Sequence, residues 1–462
     1  MKNQSKNEDP FTLLAGAAKI DITPPLGTFI NGDFVSHYAR YIHDKLYAKA
    51  LLLKNETISI AIVVVDICVM PKEFVDEVKK NIAEETGIGF QHILISSTHT
   101  HAAGSVAAVY LAAADLLYIK KLPGLIVQAV SMAKQQLQRA TIAFGSVNVA
   151  DHVRCRRYFM NKEYKPVNPV SGLMDAVKTN PFGAGHQVIR PAAKTDPQVS
   201  FMAVRASDGN WISLLANYSL HYVGDWDNGT ISADYFGEFS KQIQKKLQAG
   251  DDFIGMMSNG TSGDINIWDF ENSGRYPPQH FAKSAFIGND IAEKVFQSLG
   301  NIEWEDTPRI SVKYEEMLLG VRKAGITELE NAKAIIAKSD YEHLQVNEEG
   351  LRSIYAREQV LLNELPDQLP FPVQVIKIGT GTIGGLAAEI FAETGLWLKA
   401  NSPCKKYFTI GLANGNLGYL PPAHEIARGG YETWRGRTSK LEEHAEEKIR
   451  NNMLQLVKEL NG

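Results

Sequence analysis

Two histidines separated by one residue follow a short apolar stretch of the chain. His99 and His101 lie in the segment 96–101, directly after the apolar residues 93–95. Because alternate residues of an extended chain point to the same side, both imidazoles can face one site at the end of a strand. Neutral imidazole is a good zinc ligand. The same pattern is typical of two hydrogen-bonded polar residues in a loop, so the motif alone leaves both interpretations open.

Two residues further along the chain could complete a metal site. His221 follows the apolar run 214–218, and Glu389 ends a stretch of small and apolar residues. A carboxylate in apolar surroundings needs a partner, because burying an unpaired charge is costly. The ordinary alternatives are a structural histidine and a salt bridge to arginine or lysine. No HExxH, P-loop, GxSxG or GxGxxG motif accompanies these residues.

The elements that would position these residues are predicted from hydrophobic periodicity. Residues 63–65 and 93–95 predict strands joined by a helix that begins near residue 71, a βαβ unit with a parallel strand pair. A hairpin turn is predicted at 379–382. Helices are predicted over 233–247, over 327–338 with a capping box of Thr327 and Glu330, over 349–365 and over 439–460. Residues 158–197 predict a long surface loop.

The composition is that of a globular protein. Of 462 residues, 44% are apolar and 22% are charged, which excludes disordered, collagen-like and coiled-coil chains. The 48 basic and 52 acidic residues give a net charge of −4 without a long basic run, so no nucleic-acid partner is expected. We expect an α/β fold: one large domain with a mixed, partly parallel sheet and flanking helices. It would comprise residues 15–462, after a flexible N-terminal segment 1–14.

Cysteine use and hydropathy bear on location. Cys68, Cys155 and Cys404 are widely spaced and predict no disulfide framework. The polar N-terminus shows no signal peptide, so a cytoplasmic protein is expected unless a signal was trimmed. The most apolar run, 58–70, is shorter than the about 20 residues a bilayer requires, and no integral membrane segment is expected.

Several short motifs, in order along most of the chain, resemble the catalytic domain of the neutral/alkaline ceramidases. The matching pieces are residues 21–25, 42–50, 65–66, 97–101, 217–221, 258–264, 389, and 418–419 with 431–432. The order of eight such pieces is specific for the superfamily. The chain ends where ceramidases continue into a C-terminal β-sandwich.

The resemblance implies one zinc ion per chain, held by two histidines, a glutamate and a tyrosine. Carried over by position, these ligands are His99, His221, Glu389 and Tyr431, and His101 would lie beside the metal. Arg154 falls near a family arginine that contacts the substrate.

Two departures from the family pattern concern the chemistry. Asn266 stands where the family has an essential serine, and 102–105 replaces a glycine-proline loop. Asparagine cannot act as a nucleophile, but its amide can donate a hydrogen bond to a developing oxyanion. Candidates to orient the histidines are the carboxylates of Asp66, Asp234 and Asp264.

The function expected from these observations is that of a zinc-dependent hydrolase in which His101 accepts the proton of a metal-activated water. An amide bond is the expected target. Trp226 and Trp268, each beside an aspartate, together with Arg154 indicate a small polar molecule, sugar-like or N-acylated, rather than membrane ceramide. The alternatives are a metal-retaining ligand-binding protein without turnover and a zinc hydrolase of esters or glycosidic bonds.

Overall fold

The structure is a computed structural model that describes residues 12–270, 272 and 274–461. The strands in chain order are β1 (Leu14–Asp21), β2 (Phe29–Asn31), β3 (His37–Tyr38), β4 (Tyr41–Ile42), β5 (Tyr47–Lys54), β6 (Ser59–Val65), β7 (Ile93–Ser97), β8 (Ala103–Gly104), β9 (Gln138–Asn148), β10 (Arg154–Cys155), β11 (Arg157–Met160), β12 (Val177–Thr179), β13 (Val188–Pro191), β14 (Gln198–Ala206), β15 (Trp211–Tyr218), β16 (Thr230–Ile231), β17 (Ile254–Asn259), β18 (Ile265–Asn266), β19 (Trp304–Glu305), β20 (Ile310–Gly320), β21 (Gln368–Ile378), β22 (Gly381–Leu386), β23 (Glu389–Ile390), β24 (Lys406–Ile410) and β25 (Tyr419–Leu420). The α-helices are α1 (Lys72–Thr86), α2 (Leu116–Gln135), α3 (Asp234–Lys246), α4 (Ala282–Ser298), α5 (Ile326–Ile336), α6 (Glu348–Asn363), α7 (Ala392–Asn401), α8 (Ala423–Arg428) and α9 (Ala445–Asn461).

Two mixed sheets form the centre of the molecule. In the described part of the chain the larger sheet has nine strands, in the order β17-β15-β14-β9-β1-β5-β6-β7, with β19 pairing with β9. Its β6–β7 and β15–β17 pairs are parallel and the remaining pairs are antiparallel. The second sheet has the order β20-β21-β22-β24, with β22 and β24 parallel. The expected mixed, partly parallel α/β architecture is confirmed.

The two sheets pack face to face, and helices cover their outer faces. Buried side chains of β6, β9 and β14 share one apolar cluster with side chains of β21, β22 and β24. Helices α1 and α2 pack on the β1–β5–β6 part of the larger sheet, whereas α3 and α4 pack on its β14–β15–β17 part. Helices α7 and α9 cover the smaller sheet. The layers run helix, sheet, sheet, helix.

The predicted βαβ unit is present as β6, α1 and β7. All but the first residue of β6 are buried, as its run of β-branched residues predicts for a strand covered on both faces. Helix α1 buries Phe74, Val75, Val78 and Ile82 at helical spacing. It ends at Gly87, whose φ of 76° is a left-handed conformation that favours glycine.

Helix α2 is long and apolar enough to cross a bilayer by length and composition alone. One such helix is weak support for a membrane segment, because core helices of globular proteins meet the same criteria. Helix α2 buries Leu122, Ile126, Val130 and Ala133 in the cluster formed with β1 and β5.

Most other element predictions hold, with local corrections. The hairpin of β21 and β22, strand β15 and helices α3 and α6 lie where the pattern indicated, whereas α9 begins at Ala445 rather than at residue 439. The capping box lies two residues earlier than predicted: Glu328, rather than Glu330, accepts a hydrogen bond from the backbone N–H of Gly325 at 2.8 Å. The segment 158–197 carries a three-stranded sheet of β11, β12 and β13. Residues 1–11 of the expected N-terminal segment lie outside the described residues, and Leu14 already belongs to β1.

Candidate metal centre

Three side chains from distant parts of the chain converge where several strands end. His99 follows β7, His221 follows β15, and Glu389 is the first residue of β23. The Nε2 atom of His99 lies 3.0 Å from Nε2 of His221 and 3.4 Å from Oε2 of Glu389. The distance from Nε2 of His221 to the same carboxylate oxygen is 3.9 Å. We call these three residues the His–Glu cluster.

Backbone carbonyls fix the tautomers of both imidazoles in the His–Glu cluster. Nδ1 of His99 lies 2.9 Å from the carbonyl oxygen of Cys68, and Nδ1 of His221 lies 3.0 Å from that of Ser262. A carbonyl oxygen only accepts hydrogen bonds, so each Nδ1 carries the hydrogen and each Nε2 presents a lone pair. In their neutral forms the two rings direct their Nε2 lone pairs toward each other across 3.0 Å. Although burial opposes it, Cys68 and Glu389 raise the pKa of His99 well above 6.5, so a proton occupies this gap when no metal ion does. Such an arrangement is stable when a cation lies between them.

The carboxylate and the spacing also fit a metal ion. Oε2 of Glu389 is buried and has no hydrogen-bond partner among the described residues. Donor atoms at the usual 2.0–2.1 Å from a tetrahedral zinc ion lie about 3.3 Å from one another. The three separations in the cluster, 3.0, 3.4 and 3.9 Å, bracket this value. The donor set of two imidazoles and a carboxylate is one that zinc accepts in hydrolases.

The backbone around the cluster is held by a strained residue and a close packing contact. His99 has a φ of 77°, a left-handed conformation that is uncommon for a side chain other than glycine, asparagine or aspartate. Gly263 packs on the strand of Glu389: its N–H donates to the carbonyl of Ile390 at 2.8 Å. A Cβ atom at Gly263 would lie 2.5 Å from the carbonyl oxygen of Glu389, so only glycine fits there.

His101 lies at the edge of the cluster. Its Nε2 is 3.3 Å from Nε2 of His99, and its ring stacks on Tyr222 at a centroid distance of 3.6 Å. Gly32, which hydrogen-bonds to His101 through its backbone, packs against the same ring. Burial, together with the neighbouring His99, holds the pKa of His101 and of His221 well below 6.5. Both imidazoles are therefore neutral bases.

The cluster opens into a cavity of about 490 Å³. Tyr431 lines this cavity, and its hydroxyl accepts a hydrogen bond from Tyr110 at 3.2 Å. Burial raises the pKa of Tyr431 well above 10, so its phenol is protonated unless a cation is bound nearby. Tyr419 lines the same cavity and lies directly beside Glu389 in the β23–β25 pair. Among the described residues, Tyr110 and Tyr222 line the cavity as well, and only Tyr431 is a predicted metal ligand.

Arg156, not Arg154, reaches the cavity. The guanidinium of Arg154 donates to the carbonyls of Ala150 and Val153 and lies 3.5 Å from Asp269, away from the cavity lining. Arg156 is 4% exposed and lines the cavity, with Nη1 3.3 Å from Nε2 of His221. Its Nη2 is buried and has no hydrogen-bond partner in the described chain. The structure therefore places Arg156, rather than the predicted Arg154, in the cavity wall.

Asn266 lies behind the cavity wall. It is 1% exposed, and its amide donates to the side chain of Asn180, which lines the cavity. Strand β18, which carries Asn266, pairs with β10. Any effect of Asn266 on a bound ligand must therefore pass through Asn180, a residue of the long 158–197 segment that the sequence did not single out.

The three predicted orienting carboxylates do not contact the imidazoles. Asp66 pairs with Lys49 at 3.0 Å, and Asp264 accepts from the N–H of Ala392 at 2.8 Å. Asp234 accepts from Val223 N–H at 2.8 Å and so holds the loop after His221. Neither His99 nor His221 needs a carboxylate at Nδ1, because a backbone carbonyl already accepts that hydrogen.

The residues that suggested a sugar-like ligand lie outside the cavity lining. Trp226 stacks on Phe281 at a centroid distance of 5.4 Å, and Trp268 packs edge-on to Phe182 at 4.9 Å. Trp434 lines the cavity instead.

A second group that could hold a metal lies apart from the cavity. Glu393, His424 and Glu425 have ligand atoms within 4.8 Å of one another. Glu425 already pairs with Arg157 at 2.8 Å and with Arg428. One carboxylate of this group is thus buried and already paired with two arginines, and the group offers no counterpart to the facing nitrogens of the His–Glu cluster.

Comparison with known proteins places this site in a family context. The sequence model described as neutral/alkaline non-lysosomal ceramidase, N-terminal, matches residues 13–268, more than half of the chain. The crystal structure of neutral ceramidase from Pseudomonas aeruginosa has a TM-score of 0.71 at 15% identity and covers 98% of this chain and 75% of its own. A structure of a ceramidase complexed with C2 has a TM-score of 0.70 at 14% identity, with coverages of 97% and 75%. No curated protein gives a significant match. At these identities the structural likeness shows the fold alone.

Proposed function

Because the chain belongs to the neutral/alkaline non-lysosomal ceramidase family, whose members are amide hydrolases, we propose that it is a zinc-dependent hydrolase that cleaves an amide bond in a small polar molecule. The observation that carries the proposal is the pair of facing Nε2 lone pairs beside the unpartnered oxygen of Glu389. We further propose that residues 15–462 act as one catalytic domain.

The proposed metal ligands are His99, His221 and Glu389, with Tyr431 as the fourth. These residues would hold a zinc ion, which would supply a Lewis acid and lower the pKa of a water molecule toward ~7. The first three donor atoms already converge, and Tyr431 borders the same cavity. Binding a cation would favour the phenolate of Tyr431, offsetting the burial that raises its pKa.

The chain's own residues supply the proton transfer. His101 is neutral and lies at the edge of the cluster, with Nε2 3.3 Å from Nε2 of His99. It can accept the proton of the attacking water at Nε2 and return it to the leaving amine. Gly32 and Tyr222 fix the ring from two sides, so the base is held in place before substrate binds.

Two groups are placed to stabilise the negative charge that develops on the carbonyl oxygen. Arg156 offers the unpartnered Nη2 donor in a buried setting, where a charged hydrogen bond is strong. Asn180 offers its amide at the cavity wall and is held by Asn266. In this arrangement Arg156 takes the role expected of Arg154, and Asn266 is a positioning residue.

The proposed polar substrate is supported by the charged and amide groups in a cavity whose lining is otherwise apolar and aromatic. Its lining includes Asp33, Asn416, Thr438 and four basic residues together with apolar and aromatic ones. A volume of about 490 Å³ suits a small molecule. The sugar-like interpretation has lost the tryptophans on which it was based.

The test combines elemental analysis with hydrolysis of a fluorogenic N-acyl substrate. We expect one zinc per chain in the purified protein, and its loss in both His221→Ala and Glu389→Gln. His424→Ala is the matched control, because it removes a histidine from the second group of potential ligands, and it should keep the metal.

The outcomes separate the competing functions. Wild-type protein without stoichiometric metal, or His221→Ala protein that retains it, would refute the ligand assignment. One zinc per chain without hydrolysis of any amide, ester or glycoside would favour a metal-retaining binding protein.

A further inference from the structure

Of the lysines and arginines that the structure describes, four line the cavity, and they divide into two kinds. Two of them are neutralised within the protein: Arg156 Nε lies 2.6 Å from Glu432, and Arg437 makes a two-point contact with Glu358 at 2.7 and 2.9 Å. The other two, Lys178 and Lys440, have no carboxylate within ion-pair distance in the described chain. The cavity therefore contains two lysine ammonium groups without a direct carboxylate partner among the described residues.

Lys440 is the more deeply placed of the two lysines. Its Nζ donates to the carbonyl of Leu417 at 2.8 Å, which uses one of three ammonium hydrogens. Asn416, Gly418 and Thr438 border the same part of the cavity. Burial lowers the pKa of Lys440 to about 8, so the ammonium is still charged at neutral pH. Lys440 is half-buried at the cavity wall, and an ammonium there with two unused donors gains hydrogen bonds when a ligand with acceptor atoms binds.

The two carboxylates that line the cavity are not direct partners of these lysines. Asp33 lies 2.8 Å from His37, and Glu389 belongs to the His–Glu cluster. A metal ion in that cluster would add further positive charge. A cavity lined by one sign of charge in a low-dielectric wall attracts a ligand of the opposite sign.

Building on the proposed amide hydrolysis, we propose that the substrate is an N-acylated compound carrying a carboxylate and that Lys440 binds this carboxylate. Lys178 lies on β12, within the segment 158–197, and its charge adds to the attraction without direct contact with the carboxylate. At Lys440 the substrate carboxylate would serve as the ion-pair partner, as Glu432 does for Arg156 and Glu358 does for Arg437. Recognition of an acid, rather than of a neutral lipid head group, follows from the two lysines that the protein leaves unpaired.

The test is a binding measurement that does not depend on turnover. The probes are N-hexylsulfonylglycine and N-hexylsulfonylethanolamine, sulfonamides that resist amide hydrolysis and differ only in carboxylate against hydroxymethyl. Calorimetric titration of the zinc-loaded protein should show the acid binding about tenfold more tightly, as expected for one charge-assisted contact. A second pair places the acid on the side of the sulfonyl group. Its members are 3-(N-hexylsulfamoyl)propionate and 3-(N-hexylsulfamoyl)propan-1-ol, and they test the opposite orientation of the substrate.

Variants of the lysine decide the assignment. Lys440→Met should bring the acid-to-neutral affinity ratio close to one, and Lys440→Arg should keep most of the preference. Lys241→Met, at an exposed position on α3, should leave the ratio at its wild-type value. Zinc content and the circular dichroism spectrum show whether each variant is folded.

The outcomes distinguish this inference from the proposed function. A wild-type protein that binds acid and neutral probes equally in both pairs, or a folded Lys440→Met protein that keeps the preference, would overturn the inference. A clear acid preference lost in Lys440→Met, in a protein that cleaves no N-acyl acid, would support the inference and refute amide hydrolysis.

Discussion

Glu432 is the buried carboxylate that holds both arginines next to the cavity, and its replacement by glutamine should destabilise the protein strongly. Its Oε1 accepts from Arg156 Nε at 2.6 Å, and its Oε2 accepts from Arg157 Nη1 and Thr179 Oγ1, each at 2.7 Å. Glutamine keeps the shape but loses the charge and turns one acceptor into a donor. One guanidinium would then face an amide N–H₂ group.

The size of the effect follows from which arginine keeps a partner. Arg157 retains Glu425 at 2.8 Å, whereas Arg156 has no second carboxylate within ion-pair distance in the described chain. Arg156, Arg157 and Glu432 are 4%, 0% and 0% exposed, so solvent cannot replace the lost interaction. Breaking a buried pair and leaving one charge alone costs about 3–5 kcal/mol. We expect Glu432→Gln to lower the free energy of unfolding by an amount within that range.

The pH dependence gives the prediction a sign. The two arginines lower the pKa of Glu432 below its ordinary 4.5, although burial opposes this. The stabilisation is therefore fully present above pH 4.5 and is lost as the pH falls through the lower, folded-state pKa. The difference in the free energy of unfolding between wild type and Glu432→Gln should be constant above pH 4.5 and should become smaller in more acidic solution.

Urea unfolding at several pH values measures this difference. Glu238→Gln is the matched control, because Glu238 pairs with a lysine that is 71% exposed and should contribute at most about 1 kcal/mol. A Glu432→Gln protein as stable as this control at pH 7 would refute the reasoning that the network is a major source of stability beside the site.

Three further predictions concern single residues. Asn266→Ala should lower kcat for N-acyl substrates while zinc content stays near one per chain, because the residue acts through Asn180; equal loss of both would mean that it is only structural. Gly32→Ala should lower kcat/KM more than metal content, since a Cβ would lie 2.5 Å from the ring of His101 and Gly32 has a φ of 124°; unchanged kinetics would remove His101 as the base. Lys79→Met should raise the free energy of unfolding by about 2–4 kcal/mol below pH 7, measured in urea. Burial lowers the pKa of Lys79 from 10.5 to about 7, so the cost of charging it is full below pH 7 and absent above 10.5; a less stable variant at pH 6 would contradict this.

The sequence was sufficient where a local pattern determines the structure. The βαβ unit around His99 followed from β-branched runs and helical spacing, and the hairpin before Glu389 followed from its glycine-threonine turn. The resemblance to the family predicts His99, His221 and Glu389 as metal ligands, and in the structure their donor atoms lie close together.

The sequence was insufficient where side-chain direction decides the outcome. Arg154 and Arg156 both belong to one basic stretch, and only the pairing of β10 with β18 determines which of them turns toward His221. Lys440 could not be recognised at all, because its importance lies in the absence of a nearby carboxylate, a property of the packed structure. Trp226 shows the reverse error: proximity in sequence to His221 did not bring its ring into the cavity.

The packing of Gly263 against the strand of Glu389 has a consequence for how the protein assembles. Both histidines of the cluster lie within residues 13–268, the part that the family model matches, whereas Glu389 arrives from the other side of that contact. Metal affinity therefore reports whether the two portions have docked. Cutting the chain in the exposed turn at Glu342, between α5 and α6, would give two fragments. Neither fragment alone would bind the ion tightly. Zinc would promote the reassociation of the two fragments. The dependence of fragment complementation on zinc concentration would measure how strongly the two portions of the chain associate.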